Sequence, residues 1–164
     1  MSVPTPGIPG RIARPTSEER GQVMVSATLT RPADQVATYG YLVNLVERYF
    51  SCVDDNDLDG VLDCFTEDAV LTIQSAHATH TGRDGELRRM YEDLFATYAP
   101  RMRHIHFTHV ADPANNRIAS QFTVELTDTE GNEVTLTNCN FFYLEGLRFR
   151  RVFVYMSDGV NVLH

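Results

Sequence analysis

From Arg117 to Asp128 apolar and polar residues alternate, with Ile118, Phe122, Val124 and Leu126 on one side and Gln121, Thr123 and Glu125 on the other. Side chains two apart share a face of a strand, so this segment is a half-buried strand with one face on a core. It does not stand alone. Arg103 to Ala111 reads as a strand before it, separated by the turn-forming Asp112-Pro113-Ala114-Asn115-Asn116. Glu130-Gly131-Asn132 turns the chain into a hairpin of Glu133–Leu144 and Leu147–Met156, closed by Glu145-Gly146. A meander of this length needs something to cover its apolar face.

The first half of the chain supplies that cover. Leu42, Val46, Tyr49, Phe50 and Val53 recur at helical spacing, predicting a helix from Pro32 to about Asp54. Asp57 is placed to cap a short second helix through Cys64, with Leu58, Val61, Leu62 and Phe65 on its inner side. Ala69 to Gln74 reads as a first strand and Ser75 to Gly82 as a polar connection. Thr81-Gly82-Arg83-Asp84 has capping-box spacing ahead of Leu87, Met90, Tyr91, Leu94, Phe95 and Tyr98, a third helix that ends before Pro100. Helices first and strands after is the α+β class: a curved antiparallel sheet around N-terminal helices, with an apolar pocket between them. Residues 1–31 hold Pro4, Pro6, Pro9 and Pro15 with Gly7, Gly10 and Gly21 and no sustained periodicity, which predicts a flexible arm before a single domain at 32–164.

Composition narrows the function. The 164 residues carry 14 basic against 22 acidic side chains, a formal charge of -8, which disfavours nucleic acid and anionic membranes as partners. Every basic residue is Arg, so lysine Schiff-base chemistry and a P-loop lysine are excluded. Cys52, Cys64 and Cys139 have no CxxC spacing and read as reduced thiols, and no secretory pattern opens the sequence; a cytoplasmic protein is expected.

The order of elements resembles the NTF2-like, or SnoaL-like, cone-shaped fold. The resemblance rests on Arg48-Tyr49, Val53-Asp54, Asp57-Leu58, Phe65-Thr66-Glu67-Asp68-Ala69-Val70, Thr81-Gly82-Arg83 and Asn140-Phe141-Phe142-Tyr143-Leu144-Glu145-Gly146, and spans about Ala33 to His164. Around Arg48-Tyr49 it implies the oxygen-directed donor of ketosteroid isomerases, at Tyr49. Asp54 falls on the catalytic Asp of the scytalone dehydratase and bile-acid dehydratase branch. That branch pairs the Asp with a His on the strand after the third helix, which the resemblance assigns to His106 of Arg103-His104-Ile105-His106-Phe107. A further polar partner in those relatives aligns with about Gln121. The acidic positions of ketosteroid isomerases and of the cyclases fall at about Ile73, Phe153 and Cys139 here.

These residues carry two readings each. Asp54 is either the partner that fixes the tautomer of His106 or a solvated acid beside Asp55, Asp57 and Asp59. Uninterrupted alternation puts His104 and His106 on one face and His109 on the other. Tyr49 and Tyr91 are either donors to a substrate oxygen or core aromatics. Asn138 and Asn140 share one face of their strand and Cys139 the other; with Tyr91, His104 and Gln121 they are the expected substrate contacts. Histidines 77, 80, 104, 106 and 109 invite a metal, but no further ligand motif accompanies them, and neither metal nor cofactor is expected.

The expected function is a cofactor-independent lyase or isomerase (dehydratase, isomerase or cyclase) acting on a small hydrophobic polyketide-, terpenoid- or steroid-like substrate. The protein is expected to be a homodimer or higher homo-oligomer. The alternative is a non-catalytic small-molecule carrier or accessory subunit of the same fold. Convergence of the phenol, the acid and the imidazole on one cavity separates the two.

Overall fold

A computed structural model describes residues 37–157; the expected arm at 1–31 lies outside the described residues. Helix α1 spans Tyr39–Asp54. It starts later than the sequence suggests, where the Thr38 hydroxyl accepts the Tyr41 N–H at 3.2 Å and caps the first turn. Leu42, Leu45, Val46, Tyr49, Phe50 and Val53 are buried, one stripe three and four residues apart over the whole helix. Asn56 then takes a left-handed backbone and Asp57 starts α2, Leu58–Asp63, its carboxylate accepting the Gly60 N–H at 3.0 Å.

Strand β1 runs Phe65–Ile73, four residues earlier than expected. The connection after it is not featureless: a single 3₁₀ turn leads into β2, Ala78–Thr81, which pairs antiparallel with β1. The expected capping box does not form. Glu86, not Asp84, reaches back to the Thr81 N–H at 2.7 Å, and Asp84 is taken by Arg83. A π-helical turn at Gly82–Leu87 carries the chain into α3, Arg88–Thr97.

The remaining strands are β3, Arg101–Asp112; β4, Arg117–Thr127; β5, Glu133–Glu145; and β6, Arg148–Met156. One sheet results, in the order β2-β1-β6-β5-β4-β3. All neighbours are antiparallel except β1 and β6, which run parallel. Registers slip between Phe65 and Val70 in β1, between Ile105 and Thr108 in β3, and between Tyr143 and Leu144 in β5. Such irregularities bend a sheet, and here they curl it over α1. The core between them is aromatic: Tyr49, Phe50, Phe65, Phe142 and Phe149 pack with ring centres 4.7 to 6.1 Å apart. Among the described residues no helix is long and apolar enough to cross a membrane.

Candidate active site

Asp54 is the last residue of α1, where the helix meets β3. Its carboxylate accepts three contacts from one residue. The His104 backbone N–H lies 2.9 Å from Oδ2 and 3.1 Å from Oδ1, and the His104 ring Nδ1 lies 2.5 Å from Oδ1. No lysine or arginine occupies the last turn of α1, so His104 supplies the donors that offset a carboxylate at the electronegative end of a helix. The ring packs in an aromatic cluster, tilted against Phe50 at 4.5 Å and Phe122 at 5.2 Å between ring centres. With Nδ1–H committed to the carboxylate, the neutral ring keeps its lone pair at Nε2.

The expected partner of Asp54, His106, is not there. His106 is exposed, with φ of 58°. Residues 106 and 107 together oppose the single residue Phe122, between the pairs Ile105–Thr123 and Thr108–Gln121. This is a β-bulge with its first residue left-handed, a place that glycine ordinarily fills. The extra residue inverts the alternation: Met102 and His104 point inward before it, Phe107 and His109 after it. His109 therefore also turns inward, with Nδ1 2.8 Å from the Ser120 hydroxyl and Nε2 3.5 Å from Glu47. The phase change between Met102 and Phe107, both apolar but five residues apart, is the sequence signal that an unbroken strand overlooks.

His104 lines an inner cavity of about 50 Å³ with Tyr49, Tyr91, Met102, Asn138 and Asn140 among its walls. The Tyr49 and Tyr91 hydroxyls lie 2.8 Å apart. Burial pushes the ionisation of both phenols above the ordinary tyrosine value, so they stay protonated as donors. Asn138 and Asn140 are buried, and the Oδ1 of each has no hydrogen-bond partner among the described residues. Burying an amide oxygen with no partner is costly, which marks these two as groups awaiting a polar companion in the cavity. Gln121 and Cys139 do not take part: they sit opposite each other in the β4–β5 ladder on the outer face of the sheet, Gln121 exposed and Cys139 half-buried.

A second, wider recess of about 660 Å³ lies on the other side of the pair. Glu47, Ser51, Asp54, Asp55, Arg101 and Arg103 give it polar walls, and it shares Phe50, Met102 and His104 with the inner cavity. The imidazole thus stands between a polar recess and a small apolar chamber. The histidines do not assemble a metal centre: among the described residues no three of His, Cys, Asp or Glu gather closely enough to hold an ion.

A single mixed sheet curled over a long first helix is a fold this chain shares with solved NTF2-like proteins. The fold is similar to that of a candidate polyketide cyclase from Xanthomonas campestris, with a TM-score of 0.63 at 18% identity over 71% of this chain and 90% of that one. A candidate isomerase from Bacillus subtilis gives 0.63 at 11% identity, covering 73% of this chain and 88% of its own. An NTF2-like protein from Anabaena variabilis gives 0.65 at 15% identity, covering 80% and 97%. The SnoaL-like domain family matches residues 46–152, and the chain belongs to it. No curated protein matches the sequence.

Proposed function

We propose that this domain is an acid–base catalyst, a lyase or isomerase that needs no cofactor and works on a small, largely apolar, oxygen-bearing ring substrate. The observation that carries the reading is the Asp54–His104 pair, one carboxylate fixing both the ring and the backbone of a histidine that borders a cavity. His104 Nε2 takes a proton from carbon next to a substrate carbonyl and returns it to a departing hydroxyl or to a second carbon. Asp54 keeps the ring in the productive tautomer and balances its charge while it holds the proton. Between them, the Tyr49 and Tyr91 hydroxyls carry two protons and use one on each other, so one remains for the oxygen on which charge develops. The amide oxygens of Asn138 and Asn140, without a partner among the described residues, orient the polar edge of the ring.

This assigns to His104 the role that the resemblance to the dehydratase branch had placed on His106. The names of two structural neighbours, a candidate cyclase and a candidate isomerase, support the same class of chemistry. The test is a panel of hydroxylated polycyclic ketones, followed by mass and absorbance for loss of water or a moved double bond. His104→Gln is expected to lower kcat by about 10²- to 10⁴-fold with a wild-type melting profile. Wild-type turnover in His104→Gln overturns the assignment, and tight binding of the panel without turnover favours the carrier.

A further inference from the structure

We infer that residue 106 is a positioning residue: its left-handed backbone, not its imidazole, sets His104 onto Asp54. The inference rests on the reading of Asp54 and His104 as the working pair. Three observations carry it. First, the bulge is two residues from His104 on the same strand, and it is where β3 changes the face it presents to α1. Second, inward side chains on both sides of the bulge meet α1: His104 is bonded to Asp54 before it, and after it Phe107 packs on Phe50 while His109 Nε2 comes within 3.5 Å of Glu47. A strand without the extra residue could satisfy only one of these sets, because every side chain beyond the deletion would turn over. Third, the His106 side chain is exposed and makes no hydrogen bond or ion pair with any described residue, so nothing but its backbone conformation ties it to the site.

Positive φ is uncommon for a residue with a Cβ and is most accessible to Gly and, after it, Asn; β-branched residues are the least tolerant. A residue of the wrong kind at 106 has two ways to relax. It can slide the ladder by one, or it can pull His104 back from α1. Either lengthens the Asp54–His104 contact while leaving the rest of the sheet paired.

The experiment reads that contact directly in the full-length protein. The ring N–H proton of His104, expected far downfield because Nδ1 lies 2.5 Å from the Asp54 carboxylate, is followed by NMR and assigned through its disappearance in Asp54→Ala. Residue 106 is then replaced by Gly, Asn, Ala and Val. The signal is expected at wild-type position and intensity in His106→Gly and His106→Asn, weakened in His106→Ala and lost in His106→Val. If His106→Val does not fold, the order of Gly, Asn and Ala decides. Equal loss in all four would assign the effect to the imidazole, and an unchanged signal in Ala and Val would remove any need for the left-handed backbone; both overturn the inference. Turnover is not the readout. A protein inactive on every ketone would leave this result standing, and failure here would leave the acid–base reading to its own test.

Discussion

The hydroxyl of Tyr49 on α1 and that of Tyr91 on α3 are 2.8 Å apart, with both rings buried against the sheet. Each hydroxyl is the other's only hydrogen-bond partner among the described residues, so removing one leaves the other stranded. Tyr49→Phe and Tyr91→Phe are each expected to cost about 1–3 kcal/mol, whereas the double replacement costs less than the sum because no buried hydroxyl is left over. Chemical denaturation of the four proteins measures it. Additive losses would show that each hydroxyl has its own partner.

Asp54 satisfies two donors of His104, and the His104 side chain is only 9% exposed. Asp54→Ala strands both and is expected to lower stability by about 1–3 kcal/mol, while Asp54→Asn keeps an acceptor and loses less. Turnover ranks them differently. Both are expected to fall by about 10²-fold or more, since an amide cannot balance an imidazolium. Parallel melting and kinetic measurements separate the two effects.

Met102 stands between the wide recess and the inner cavity, and at about 50 Å³ the cavity holds a few waters rather than a fused ring. An unbranched thioether is the side chain best able to move aside. Met102→Ala is expected to lose about 2–4 kcal/mol of stability and to bind a neutral probe such as 1-naphthol several-fold more tightly. Calorimetric titration checks the second part; an unchanged affinity would show that entry does not pass this residue.

His80 on β2 has its Nε2 buried without a hydrogen-bond partner among the described residues, and burial lowers its pKa from the ordinary 6.5, against a smaller opposing effect of Glu86. The unfolded chain therefore takes up this proton before the folded one. Its contribution to stability is at its best above pH 6.5 and is lost as the pH falls through 6.5 towards the lowered folded value. His80→Gln is expected to shrink the drop in Tm between pH 7.5 and pH 5.5 relative to wild type. An unchanged drop would place the acid sensitivity elsewhere.

The fold was legible because its elements announce themselves by period: the stripe from Leu42 to Val53, the Asp57 cap and the alternation from Ile118 to Leu126 each need only local rules. Asp54, Tyr49 and Tyr91 also stand on the helices those rules give them, whereas the inward face of β5, that of Asn138 and Asn140, could not be read from its own pattern. Nor could the place of His106. A bulge is decided by what lies on both sides of it, here the packing of Phe107 and His109 under α1, and strict alternation has no means to register one extra residue. The strand at Ala78–Thr81 escaped for a related reason. Its polar alternation suits an edge strand with little to bury, which reads the same as a loop.

The parallel junction of β1 with β6 has a cost in time. Strand β6 sits between β1 and β5, so the two ends of the described chain are stitched together through its middle, and Val154 and Met156 close the wall of the cavity. During synthesis α1, β1 and β2 leave the ribosome long before the strand that must join them to the rest, and their apolar faces wait uncovered. The hollow cannot close until β6 has been made, and a nascent chain halted anywhere before Arg148 leaves part of the aromatic core open to whatever chaperone or aggregate finds it first.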